Sequence, residues 1–190
     1  GRLCATAHTG RGGLPHAETQ ALDMAGHLAE GATVYVTLEP CAHHGKTPPC
    51  IDALIAARVA RIVVAVADPD ARVNGRGLAK AKAAGIDTHL GVGAAAAKAV
   101  LSGFLTRIER GRPYVWMKTA ASLDGGIALV DGEKRWLTSR PMRHFVHEVR
   151  SRCDALLTGV GTILADDPEL TCRAPASNAD SPAVFVLDSQ

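Results

Sequence analysis

Residues 61–66, Arg-Ile-Val-Val-Ala-Val, place five apolar side chains in a row with no polar alternation. A half-exposed strand alternates, whereas a strand covered on both faces does not, so this run predicts a central strand of a parallel sheet. Its neighbours follow the same logic. Val34–Leu38 is a β-branched run that stops at Pro40, and Ile86–Leu90 is a third strand. Between them lie segments with helical spacing. Ala17–Glu30 carries Ala21, Leu22, Ala25 and Leu28 and is stopped by Gly31. Ile51–Ala57 is entered through Pro48-Pro49, which suits a helix start. Gly77–Ala84 and Ala94–Arg107 complete the series. Strands alternating with helices predict an α/β, three-layer α/β/α domain, with helices on both faces of a mostly parallel sheet.

The polar, turn-forming stretch Glu109-Arg110-Gly111-Arg112-Pro113 interrupts this rhythm. The organisation expected is a first domain over 1–109, a linker at 110–113 and a second α/β unit over 114–190. In the second unit Tyr114–Ala120, Ala155–Thr158 and Ala183–Leu187 read as strands, and Arg140–Arg150 as a helix. Its last strand runs into the end of the chain, so it reads as an unfinished domain.

Composition narrows the function classes. With 47% hydrophobic but only 4% aromatic residues, the core is to be built from Ala, Val, Leu and Ile. A net charge of +2 without a Lys/Arg cluster argues against nucleic acid. There is no apolar run of the length a membrane span needs. Five cysteines, at 4, 41, 50, 153 and 172, form no disulfide framework, which favours a reducing, cytoplasmic setting with thiols free for metal or catalysis.

Three of the metal-capable residues stand at element junctions. His16 follows Pro15 where a loop meets a helix. Cys41 follows Pro40 beyond a strand, and Cys50 lies in the first turn of a helix, whose amino end favours a thiolate. One imidazole and two thiolates are a catalytic zinc set, three protein ligands with a fourth position left for water. Glu18 lies two residues from His16. On a regular helix the two would point about 200° apart, so they converge only if His16 stands outside the helix. There Glu18 is a candidate proton shuttle. His-X-Glu followed by Pro-Cys and a second Cys is the pattern of zinc deaminases, in which the glutamate is acid/base and not a ligand. The commonest version spaces the cysteines three apart, whereas here "CAHHGKTPPC" spaces them nine apart. A closed structural site with His43 or His44 as fourth ligand is the other reading of these residues. His8, His27, His89, His144 and His147 show no partner spacing and read as surface or helix-face residues, and Cys4, Cys153 and Cys172 as packing residues.

"PHAE", "TLEPCAHHGKTPPC" and "DPDARVNGRGL" together resemble the deaminase half of the bifunctional deaminase/reductase of riboflavin biosynthesis. The resemblance implies Zn2+ held by His16, Cys41 and Cys50, with Glu18 moving protons during hydrolytic deamination of a phosphoribosylated diaminopyrimidine. After the linker, "YVWMKTAASLDGGIAL", "GEKRWLTS", "GVGTILADDPELTCR" and "VLDS" resemble the opening of the reductase half, which is similar in fold to dihydrofolate reductase. There the resemblance implies NADPH contacts at Ala120, Trp136, Thr162, Asp166 and Ser189. It implies ribose-phosphate contacts at Lys134, Arg150, Leu170 and Arg173, with Lys134 standing where the family usually has serine. From the residues themselves, Thr158–Thr162 is a glycine-containing turn after a strand, Trp136 stacks on a flat ring or fills a core, and Arg150 and Arg173 clamp a phosphate or stay solvated. The family extends beyond both ends of this sequence, so the chain is expected to be an internal fragment, with both reactions belonging to the complete protein. Two alternatives stand beside this reading: a zinc deaminase of another nucleoside, base or RNA, and a non-catalytic zinc-stabilised module. Uncovered apolar strand surface makes a homo-oligomer a further expectation.

Overall fold

The structure is a computed structural model that describes residues 1–129, 136–173 and 181–189. It divides into two compact units, Gly1–Trp116 and Met117–Gln190. Both are α/β.

In the first unit, strands β1 (Thr33–Leu38), β2 (Arg61–Val66) and β3 (Asp87–Leu90) form a parallel sheet in that order. Thr33 pairs with Arg61, and Arg61 pairs in turn with Asp87. The central place of β2 accounts for its unbroken apolar run, since residues 62–66 are all buried. Helices α1 (Ala17–Ala25), α2 (Cys50–Ala56) and α3 (Arg76–Ala83) serve one face of the sheet. There Ile51 and Leu54 of α2 and Ala81 of α3 pack with Ile62 and Val64, and with Leu22, Val34 and Val36 at the edge. Helices α4 (Ala94–Val100) and α5 (Ser102–Arg110) bring Ala97 and Leu105 to a second cluster with Ala65 and Val66.

Three expectations are adjusted here. The helix expected over 17–30 ends at Ala25, because Gly26 takes a positive φ of 53° and a 3-10 turn, Gly26–Ala29, follows. The helix expected over 94–107 is two helices bent at Leu101. The bonds from Leu101 N–H to the Ala97 carbonyl and from Leu105 N–H to the Leu101 carbonyl, both 2.9 Å, carry on across the bend. The second of these helices continues through Glu109 and Arg110 to Gly111, whose φ of 64° ends it.

In the second unit, α6 (Arg140–Arg150) leads to β4 (Ala155–Gly159), α7 (Val160–Asp166) and β5 (Ala183–Leu187). The two strands pair in parallel from Ala155↔Ala183 to Gly159↔Leu187. Ser139 caps α6 by accepting the Met142 N–H at 3.5 Å. The glycine-containing turn expected at 158–162 is a strand-to-helix junction, with Gly159 as the residue before α7. Tyr114–Ala120 is not a strand. Its aromatic and β-branched residues suit one, but a strand needs a hydrogen-bonded neighbour, and Tyr114 and Trp116 instead meet edge to face at 6.1 Å.

Candidate metal centre and reductase-half residues

His16 is the residue before α1, with extended backbone (φ −68°, ψ 153°), so its ring is not bound to the helical period. Its carbonyl is held by the Thr19 hydroxyl at 2.9 Å. Cys50 is the first residue of α2 and is 1% exposed. Cys41 lies three residues past β1. The Cys50 N–H donates to Cys41 Sγ at 3.2 Å, and the Ile51 N–H donates to the Cys41 carbonyl at 3.2 Å.

The three side chains converge. His16 Nδ1 is 3.0 Å from Cys50 Sγ and 3.7 Å from Cys41 Sγ. All three donor atoms lie within 4.8 Å of one another, and among the described residues they form the metal-capable cluster, which His43 and His44 do not join. Tetrahedral zinc with Zn–N and Zn–S bonds of ordinary length would separate N and S by about 3.6 Å, and two S atoms by about 3.8 Å. The cluster is therefore of the size and chemistry that fit a zinc ion.

Electrostatics agree with that fit. The Cys50 thiol, the Cys50 backbone N–H and His16 hold the Cys41 thiol down to about 5, against the opposing effect of burial. Cys50 is pushed up, first by the neighbouring Cys41 sulfur and then by burial. Binding a dication displaces protons from such thiols. Glu18, half-buried in the first turn of α1, interacts electrostatically with His16, Cys41 and Cys50, and burial raises its carboxyl above the usual carboxylate range. A carboxylate with raised affinity for a proton, beside an open metal position, can accept and return one.

Two groups near this site lie in the quoted motifs without an assigned role. Asp68, 7% exposed, accepts the Asp70 N–H at 2.9 Å, and burial raises its pKa. His43 interacts electrostatically with it, and His43 Nδ1 is buried without a hydrogen-bond partner among the described residues. The sequence signal was an acid two residues past the buried run of β2, visible but unassigned.

In the second unit, Thr162 and Asp166 lie one turn apart on α7, directly after β4, and Ser189 lies two residues past β5. Because β4 and β5 are parallel, these residues follow the carboxyl ends of adjacent strands, where open α/β sheets bind ligands. Ala120 is half-buried, and the exposed Trp136 ring has the Arg143 guanidinium 4.5 Å from its centre. Lys134 lies outside the described residues. Arg150 donates to the Thr171 carbonyl at 2.9 Å, beside Leu170, which has a φ of 50°. Arg173 pairs with Glu169 and donates to the Thr171 hydroxyl at 2.7 Å, while its N–H donates to His147 Nδ1 at 3.1 Å. Arg150, Leu170 and Arg173 are thus gathered around the 170–173 segment. His147, read from sequence as a surface residue, stands among them, its pKa lowered by burial and by both arginines. Its i, i+3 spacing from Arg150 on α6 was the available signal.

Comparison with known proteins places this geometry. Residues 2–66 match the family "cytidine and deoxycytidylate deaminase zinc-binding region", and residues 113–190 match the RibD C-terminal domain. The riboflavin biosynthesis protein RibD of Escherichia coli (strain K12) is 47% identical over 201 residues, covering 100% of this chain and 55% of the relative. A solved structure of Acinetobacter baumannii RibD aligns with a TM-score of 0.87 at 42% identity, covering 100% of this chain and 54% of that one. The Thermotoga maritima diaminohydroxyphosphoribosylaminopyrimidine deaminase/5-amino-6-(5-phosphoribosylamino)uracil reductase aligns with a TM-score of 0.84 at 40% identity, over 93% of this chain and 50% of that one. The first unit is thus cytidine-deaminase-like and the second is a RibD C-terminal, dihydrofolate-reductase-like domain. Spanning about half the length of the curated relatives it matches, the chain belongs to the RibD family of riboflavin biosynthesis proteins.

Proposed function

We propose that the first unit carries the zinc-dependent deaminase of riboflavin biosynthesis, acting on 2,5-diamino-6-(5-phosphoribosylamino)pyrimidin-4-one. The observation that carries this reading is the convergence of His16, Cys41 and Cys50, with the half-buried Glu18 interacting electrostatically with all three. Zinc, when bound, supplies a Lewis acid that makes water nucleophilic at neutral pH. His16, Cys41 and Cys50 would hold the ion. Glu18 takes a proton from the water as it adds to the amine-bearing ring carbon and delivers it to the amine nitrogen, which departs as ammonia. Its raised proton affinity suits a group that must both take and give a proton near neutral pH.

In this reading the deaminase spans 1–109, a linker spans 110–113 and a reductase begins at 114. Arg150, Leu170, Arg173 and Lys134 hold the ribose phosphate. Ala120, Trp136, Thr162, Asp166 and Ser189 hold NADPH, which when bound supplies the hydride that turns the ribosyl side chain into ribityl. The pathway is a cytoplasmic one. The test is direct: purified protein should contain one zinc per chain and release ammonia from the diaminopyrimidine, and Glu18→Gln should keep the zinc and lose the ammonia. Zinc retained by a protein with no deamination, before and after Glu18→Gln, would leave a purely structural metal site.

A further inference from the structure

The segment Asp68–Leu78, "DPDARVNGRGL", supplies no ligand to the metal cluster, yet it packs against the loop that carries Cys41. Glu39, two residues ahead of Cys41, makes the contact. Its side chain is 3% exposed, and a carboxylate so buried is costly unless fully hydrogen-bonded. Three backbone N–H groups of the segment satisfy it: Asp68 donates to Oε2 at 3.3 Å, Gly75 to Oε2 at 2.9 Å and Leu78 to Oε1 at 3.1 Å. Gly75 precedes α3 at a φ of 81° and has no side chain with which to cap it. Glu39 does so from 36 residues away, its charge facing the positive end of the helix. Gly77 closes the contact from the other side. A Cβ there would lie 2.3 Å from the Pro40 carbonyl oxygen, so the first turn of α3 rests on the peptide that leads into Cys41.

β1 ends at Leu38, leaving Cys41 three residues beyond the sheet's edge. We propose that Glu39 is a positioning residue for the metal centre: its three bonds to Asp68, Gly75 and Leu78 fix Pro40 and hence Cys41 Sγ against His16 and Cys50. The inference rests on the reading of His16, Cys41 and Cys50 as zinc ligands, and it gives the "DPDARVNGRGL" segment its purpose on this side of the site. Glu39 touches none of the donor atoms, so it acts through Cys41.

Glu39→Gln is nearly isosteric but turns one oxygen into an NH2 group that confronts N–H donors. Glu39→Asp keeps the charge and withdraws the oxygens by about 1.5 Å, the length of one carbon–carbon bond. Gly77→Ala leaves Glu39 intact and presses on Pro40. In the whole protein, zinc affinity is measured by chelator competition, the Cys-to-cobalt absorption is recorded after Co2+ substitution, and the metal-free melting temperature is followed. Zinc affinity is expected to fall about 10- to 100-fold in Glu39→Gln, the range for groups that orient metal ligands, with an altered cobalt spectrum. Glu39→Asp and Gly77→Ala should fall in between. A lowered metal-free melting temperature with wild-type zinc affinity and cobalt spectrum would overturn the proposal, because Glu39 would then support only the fold. Failure of all three variants to fold would overturn it for the same reason. Failure of the underlying reading looks different: wild-type protein without cobalt–thiolate absorption, or Cys41→Ser with unchanged zinc affinity.

Discussion

Glu18→Gln separates catalysis from metal binding and from stability, and the structure gives an expectation for each. The side chain keeps its length in the first turn of α1, so packing is preserved. Burial is the largest influence on Glu18, and it acts against the charged form. A neutral amide at the same place removes that penalty, so the metal-free domain should melt no lower than wild type. The donor atoms of His16, Cys41 and Cys50 are untouched, so zinc content should stay at one per chain. Turnover is another matter, since positioned acid–base groups contribute about 10²- to 10⁴-fold. At 1.36 kcal/mol per decade that is about 3–5 kcal/mol of barrier. The assay is steady-state ammonia release, run beside metal analysis and thermal melting on the same preparation. Retention of more than a tenth of the activity would refute the proton-shuttle role. Loss of zinc would refute the separation of Glu18 from the ligand set.

Cys50→Ser removes a buried sulfur donor from the cluster, so zinc should be lost on dialysis. Chelation of the wild type should lower its melting temperature, because an ion at 100 times its dissociation constant stabilises by about 2.7 kcal/mol. Leu54→Ala empties a position that is 1% exposed in the main cluster. It should cost about 2–5 kcal/mol in urea unfolding, and a loss below 1 kcal/mol would mean that the site collapses around the gap. Arg150→Ala should raise the KM for the phosphorylated reductase substrate at least tenfold in the complete protein while deamination proceeds at its normal rate; equal loss of both activities would count against a phosphate contact.

The first sheet was readable because β2 is central, and a central parallel strand has nowhere to put a polar side chain. Its residues feed two clusters, Ile62 and Val64 one and Ala65 and Val66 the other. What the sequence hid was governed by partners. Tyr114–Ala120 has strand-like residues but no paired neighbour, so propensity alone misleads. Helix α7 has Val160, Gly161, Thr162 and Ile163 in its first four places, a poor helical composition, and forms as the continuation of β4. The ligand trio was legible because Pro15, Pro40 and Pro49 mark the junctions where its members stand. Glu39 was not, since its three partners are backbone N–H groups 29 to 39 residues further along, and a backbone N–H has no sequence signature.

The nine-residue cysteine spacing has the same explanation at shorter range. The bonds from the Cys50 and Ile51 N–H groups to Cys41 Sγ and its carbonyl close the two ends of the insert directly upon one another. Once the ends are closed, loop length adds little free energy, since each doubling costs only about 0.6 kcal/mol. Residues 44–48 of the insert are exposed, and none of them enters the metal cluster. His44→Ala and Lys46→Ala should therefore leave zinc affinity within about twofold of wild type, as surface substitutions away from structural features usually change stability by no more than about 0.5 kcal/mol. A tenfold loss of zinc affinity in either variant would show that the insert, and not its closed ends, sets the distance between the two sulfur ligands.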